Sequence, residues 1–298
     1  MTAKELYRRI RAETYDRDIG QNGWLLAAEL EQFVDRLSVP RGGRLLDIGF
    51  GTPPIHLAAL SGCSVVSLCI DPKAIEAASH EFMGHELSRR VSFIEHDANY
   101  PLPLEREQFD GVLCIDLIDH LADRAQRLID WARVLKPNGR MLFTDPIVVT
   151  GPLTDEEVRV RGSTGFTLFV PPGYTEQTIE EADLELVHRE NLTANIAGVA
   201  ARQHAARERH AADLRELEGS RFDDLQRVFA AIATMARENR LARFAYVARK
   251  HRSQPGLERQ SAGAFDSSPL KARSLSDIDA TAEREAASIS ASTSSMIG

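Results

Sequence analysis

From Arg44 to Val149, short apolar runs alternate with amphipathic stretches in a rhythm that predicts alternating strands and helices. Arg44–Ile48 reads as a first strand, 55–60 as a helix and 65–70 as a second strand. A helix over 73–87 precedes a third strand at Val91–Glu95. A fourth strand at 109–115, a helix over 123–134 and a fifth strand at 140–149 complete the series. Such an order implies βαβ crossovers and a mainly parallel sheet with helices on both faces. Runs such as Val-Val-Ser-Leu-Cys-Ile suit strands buried on two sides.

The flanks differ from this core. Residues 1–37 look helical, with Leu25, Leu26, Leu30, Phe33, Val34 and Leu37 at mixed three- and four-residue spacings, until Pro40, Gly42 and Gly43 break the pattern. After Thr150 a loop carries a short helix near 155–161, then come a helix over 174–182 and a sixth strand at 184–189. Helices over 194–217 and 222–240 precede a last strand at 243–249. A connection of roughly 50 residues between two strands far exceeds the usual few, and a helical cap over a pocket is its natural reading. The expected fold is a doubly wound, mostly parallel α/β sheet of seven strands with an antiparallel last strand. Its expected division is an N-terminal helical segment (1–43), a ligand-binding domain (44–250, cap about 191–241) and a disordered Ser/Ala-rich tail (251–298).

Composition narrows the class. Of 298 residues, 43% are apolar and 27% charged, ordinary for a globular enzyme, and the net charge of −8 disfavours a nucleic-acid partner. The N-terminus has no signal-peptide core, and no apolar run approaches membrane-spanning length. The three cysteines form no CxxC pair, and His204 and His210 lack a third ligand at metal spacing. The expectation is a cytoplasmic protein without a structural metal. An insert of this length suits an interface as well as a lid, which admits a homodimer.

The strongest chemical signal is Leu45-Leu46-Asp47-Ile48-Gly49-Phe50-Gly51-Thr52, a buried strand ending in Asp-x-Gly-x-Gly. Gly49 and Gly51 allow a sharp turn and close approach of a ligand. Asp47 is poorly placed beside a pyrophosphate but suits a cationic ammonium group, which favours S-adenosylmethionine over a nicotinamide cofactor. Asp71, closing the second strand, can accept from both ribose hydroxyls. Asp97, followed by Ala98 after the third strand, can accept from an adenine amino group. Each acid alone also suits a solvated loop or a helix cap. Three at successive strand ends are harder to dismiss.

These motifs resemble the class I, seven-stranded S-adenosylmethionine-dependent methyltransferases of the small-molecule type. LLDIGFGT is similar to the glycine-rich first motif and CIDP to the acidic second. HDANYPLPLEREQFDGVLCIDLIDHLAD resembles the third and fourth, and RVLKPNGRMLFTDP the segment ending in strand five. The chain departs where Pro53-Pro54 replaces a usual third glycine, which stiffens the turn.

The resemblance implies S-adenosylmethionine as cofactor, transfer of its methyl to an O, N or C nucleophile, and a small-molecule acceptor. It places the segment after strand four against the transferring methyl, which makes His120, Asp116 and Asp119 the catalytic candidates, with Asp116 also a cofactor contact. The plainer alternative has Asp119 capping the next helix and His120 packed beneath it. Asp145, Tyr15, Phe166 and Phe169 are the candidate acceptor contacts, and Arg159 and Arg161 could meet an acidic group on it. For Tyr7, Tyr15 and Trp24 the alternative is core packing. For the basic residues of 194–217 it is a solvated face. A non-catalytic cofactor-binding partner and, less favoured, a nicotinamide oxidoreductase remain as other readings.

Overall fold

Alternation along the strands divides the apolar residues between two faces. In β1 (Arg44–Ile48), Leu46 and Ile48 join a core with Leu128 and Trp131, while Leu45 joins Phe33 and Leu57 on the other side. β4 (Phe109–Cys114) and β5 (Leu135–Val149) split in the same way, Val112 and Phe143 to one side, Leu113 and Leu142 to the other. The computed structural model describes residues 2–49, 52–82 and 85–251. Gly51 and all but the first residue of the expected tail lie outside them.

With β2 (Ser64–Cys69), β3 (Val91–Glu95), β6 (Leu184–Asn191) and β7 (Leu241–Lys250), these strands form one sheet of order β3-β2-β1-β4-β5-β7-β6. β1 to β5 pair parallel, and β7 runs antiparallel to both β5 and β6. The strand order therefore reverses at β1, and open α/β sheets bind ligands beyond the carboxyl ends of the strands at such a switch point.

The helices start and stop where local chemistry dictates. α3 (Pro54–Ser61) opens on a proline at its first turn, where the missing N–H has no intrahelical partner, and ends on Gly62 at φ +67°. The Asp123 carboxylate caps α5 (Arg124–Val134) by accepting from the Gln126 N–H at 3.0 Å. A Thr154–Glu157 capping box opens α6 (Asp155–Gly162). α4 (Pro72–Phe82) and α7 (Tyr174–Glu181) complete the layers.

Three expectations are corrected. The leading segment is two helices, α1 (Ala3–Thr14) and α2 (Ala27–Leu37), because Gly20 (φ +85°) and Gly23 (φ +71°) turn the chain between them. That strap buries Tyr15, Gln21, Trp24 and Leu25. The first cap helix divides at His210 into α8 (Thr193–Arg209) and α9 (Ala211–Glu218), followed by α10 (Arg221–Arg237). Nor is the basic side of α8 a solvated face. Arg202 donates to the Thr14 carbonyl, Arg209 and His210 hold Glu13, and Arg207 is buried against Glu218 and two phenylalanine rings. The cap thus packs on α1 and the strap, in cores joining Leu6 and Ile10 to Phe222, and Tyr15 and Trp24 to Ile232.

Candidate functional site

Beyond the carboxyl ends of β1, β2 and β3 lies a cleft of about 210 Å³, lined by Gly49, Leu68, Cys69, Ile70, His96, Asp97, Ala98, Asn99, Leu117, His120 and Leu121. Its floor requires glycine. Gly49 has φ +112°, and a Cβ there would lie 3.2 Å from Leu117 Cδ2. Apolar walls come from Ile70, Ala98, Leu117 and Leu121.

The strand-end acids occupy different levels. Asp97 lines the cleft, its Oδ1 accepting from the Asn99 N–H at 2.9 Å and from Asn99 Nδ2 at 3.1 Å. Asp71 is exposed just past Ile70, with Oδ1 accepting from the Lys73 N–H at 2.9 Å. Asp47 is 1% exposed, and its Oδ2 accepts from the Ser67 hydroxyl at 3.0 Å. Burial raises its pKa to about 7, with the Ser67 hydrogen bond opposing the rise. The direct ammonium contact expected of Asp47 is therefore corrected, because the carboxylate is buried and held by Ser67.

Asp116, at φ +51°, is enclosed rather than free. Its Oδ1 accepts from Thr144 Oγ1 at 2.7 Å and Arg243 Nε at 2.8 Å, and its Oδ2 accepts from Arg243 Nη2 at 3.2 Å and the Trp24 N–H at 3.3 Å. Arg243, wholly buried in β7, also donates to Glu29 of α2 at 2.8 Å, and Asn195 of α8 reaches the same Glu29 oxygen. Two carboxylates around one buried guanidinium hold it charged against the cost of burial. Both Asp116 oxygens are engaged by donors of the protein itself, which corrects the expectation of a free base there.

The pair after β4 has another character. His120 is partly exposed at the cleft, and its Nδ1 lies 2.7 Å from the Phe166 carbonyl oxygen. A carbonyl only accepts, so Nδ1 carries the hydrogen and Nε2 holds the lone pair of the neutral ring. Nε2 lies 3.6 Å from Oδ2 of Asp119, which is fully buried and also accepts from Arg161 Nη2 at 2.8 Å. Burial raises the Asp119 pKa, while His120 and Arg161 oppose the rise. Asp123 caps the helix, so the capping alternative for Asp119 fails.

Asp145 is also corrected as an acceptor contact. It is wholly buried, accepting from Arg124 Nη1 at 2.6 Å, Thr175 Oγ1 at 2.9 Å and the Ile147 N–H at 3.2 Å. Arg161 and Arg159 are both engaged, the first with Asp119 and the second with Glu156 on the surface. Tyr15 is buried and donates to the Gly23 carbonyl at 2.8 Å, which fastens the strap. Phe166 is 56% exposed beside His120, and Phe169 packs against the strap and cap core. Tyr7, on α1, donates to Glu218 at 2.7 Å, away from the cleft.

Sequence reasoning missed Arg243 and Glu29, and it gave Arg161 an acceptor group as partner where the structure gives it Asp119. An arginine at an inward position of an alternating apolar strand was a signal for Arg243. Its partners, 127 and 214 residues away, were not.

A seven-stranded sheet in this order, with an antiparallel β7 and a glycine turn at the switch point, is the fold of the class I S-adenosylmethionine-dependent methyltransferases. Residues 46–143 match the family model described as Methyltransferase domain. The chain is 37% identical over 127 residues to the methyltransferase GfsG of Streptomyces halstedii, covering 42% of this chain and 45% of that protein. It is 30% identical over 168 residues to the 27-O-demethylrifamycin SV methyltransferase of Amycolatopsis mediterranei, covering 55% and 61%. The chain thus spans about half the length of these curated relatives. In fold it is similar to phosphoethanolamine N-methyltransferase 2 of Haemonchus contortus in complex with S-adenosyl-L-methionine. That likeness has a TM-score of 0.67 and 19% identity, and covers 84% of this chain and 58% of the other.

Proposed function

We propose that the protein transfers a methyl group from S-adenosylmethionine to an O, N or C nucleophile of a small-molecule acceptor. The observation that carries this reading is the cleft at the switch point, with a side-chain-free floor at Gly49 and with Asp97 and His120 in its lining. The methyltransferase relatives support it. No helix of the described residues is long and apolar enough to cross a membrane. A cytoplasmic enzyme, with a homodimer admitted, is part of the same proposal.

The residues present fit the cofactor. Ile70, Ala98, Leu117 and Leu121 form a slot for a flat apolar ring, and Asp97 is placed to accept from an amino group at its edge. Asp71 uses only Oδ1 among the described residues, which leaves the rest of its carboxylate for ribose hydroxyls. When bound, the cofactor supplies a methyl on an already activated sulfonium, so alignment and exclusion of water contribute much of the rate. His120 takes the acceptor's proton on Nε2. Its Nδ1–H stays fixed on the Phe166 carbonyl, and the Asp119 carboxylate stabilises the imidazolium that forms. Phe166 offers an apolar surface to the acceptor at the mouth.

Calorimetric titration with S-adenosylmethionine, with NAD(H) as control, tests the reading. Micromolar binding of the first alone is expected, and Asp71→Ala weakens it by more than about tenfold, roughly 1.5–3 kcal/mol for a charged hydrogen-bonding contact. Absence of binding would sink the cofactor assignment and point to Pro53-Pro54. Binding without S-adenosylhomocysteine release over a broad acceptor panel would favour a non-catalytic partner.

A further inference from the structure

Among the described residues, three large apolar side chains are more exposed than any other: Tyr100 at 64%, Ile70 at 63% and Phe166 at 56%. All three border the cleft at the switch point. Ile70 lines it. Tyr100 follows the lining residue Asn99, and its carbonyl lies 3.4 Å from Nε2 of His96, another lining residue. The Phe166 carbonyl lies 2.7 Å from Nδ1 of the lining residue His120. One exposed apolar side chain is ordinary on a protein surface, but a group of them around one cleft marks a binding face.

The charged groups at this end of β4 and β5 are spent. Arg243 holds Asp116, Arg161 holds Asp119 and Arg124 holds Asp145. In the second of these pairs the atoms without a partner, Asp119 Oδ1 and Arg161 Nε, are sealed from solvent. Arg159 is occupied on the surface by Glu156. A charged molecule laid on the exposed rings would give up hydration and find no counter-ion among these groups, a cost that apolar contact does not return.

We propose that Tyr100 and Phe166 form the acceptor subsite, and that the acceptor is an uncharged, largely apolar molecule. The assignment to an acceptor rests on the methyl-transfer reading above, in which Ile70, Asp71 and Asp97 serve the cofactor. One short segment carries both rings of the subsite. The Ala122 N–H donates to Asn99 Oδ1 at 3.2 Å, next to Tyr100, and the Asp119 carbonyl accepts from the Leu168 N–H at 2.8 Å, two residues past Phe166. His120 lies between these two anchors, so a molecule resting on the rings is held beside its imidazole. The cap offers no rival place for such a molecule, because its inner face is filled by Trp24, Ile147, Ile196 and Ile232.

Three probes with one ring system and different charge test this: 2-naphthol, 2-naphthoate and the ammonium form of 2-(aminomethyl)naphthalene. Their affinities for the full chain would be measured at neutral pH by NMR titration, with and without saturating S-adenosylhomocysteine. The uncharged probe is expected to bind at least about tenfold more tightly than either ion. Phe166→Ala and Tyr100→Ala, both at exposed positions, should each weaken its binding about threefold or more. A charged probe that binds as tightly as 2-naphthol would overturn the proposal, as would unchanged affinity in both variants. Loss of 2-naphthol binding when S-adenosylhomocysteine is present would place the ring in the cofactor slot, with the same result. A dimer of the wild type that dissociates in the two variants would give the rings to a second copy of the chain instead. Failure of S-adenosylhomocysteine itself to bind counts against the cofactor reading alone, and the charge ranking and the effect of the variants are then read in the free protein.

Discussion

At the scale of single residues, burial separates three acids that look equivalent along the chain. Asp71 is exposed, Asp97 lines the cleft and Asp47 is buried. The position of Asp47 has a consequence for stability. Its folded-state pKa, about 7, lies above the ordinary carboxylate value of 3.8, so the folded protein binds this proton more tightly than the unfolded chain. Its contribution is therefore most favourable below about pH 4 and falls as pH rises towards 7. Asp47→Asn removes the dependence. The variant should gain on the wild type between about pH 4 and 7, by an amount on the order of a few kcal/mol. Denaturant melts of both proteins across that range check this, and a constant difference would refute it. None of this depth was legible in the sequence, because strand-end position sets which edge an acid reaches and packing sets how far it is buried.

At the scale of elements, the buried Arg243 joins β7 to the segment after β4 through Asp116, to α2 through Glu29 and, by way of Glu29, to α8 through Asn195. Removing one partner of a buried ion cluster leaves uncompensated charge, so Arg243→Met is expected to cost about 3–5 kcal/mol. Adding Asp116→Asn and Glu29→Gln to it should recover part of that loss, because the stranded charges are then gone. Chemical denaturation of the single and triple variants measures both, and a triple variant less stable than the single one would contradict the account. The elements themselves were largely readable. β1 and β3 match their expected limits, and α6 does so within a residue, because pattern and capping are local. The break in the leading helical segment was not foreseen. Its apolar spacing continues through Leu25 and Leu26, and the left-handed turns at Gly20 and Gly23 override it.

At the scale of the whole molecule, the strap and the cap share a core. Trp24 meets Phe229 of α10 edge-on at 5.9 Å, in a core that also holds Ile147 of β5. Trp131 lies in the core on one face of the sheet. Residues 1–253 cluster as one compact unit, so the two regions are expected to unfold together. The chain has two tryptophans, so Trp24→Phe and Trp131→Phe each leave one reporter. After correction for each variant's own stability, coincident fluorescence and circular-dichroism transitions are expected in both. Separate transitions would show that the cap and strap unfold independently of the sheet.

The amino-acid sequence alone determined the order of strands and helices, the glycine turn after β1 and the acids at the strand ends. These depend on periodicity and on residue chemistry within a few positions of one another. Tertiary structure decided which of those acids reach a ligand. Asp116 lies just past β4 and Asp145 inside β5, and buried arginines brought from β7 and α5 occupy them. His120 gains its orientation from Phe166, 46 residues away, and its counter-charge from a carboxylate held by Arg161. Charge pairing in a low-dielectric interior depends on distances of a few ångströms between residues far apart in the chain, and only folding sets those distances.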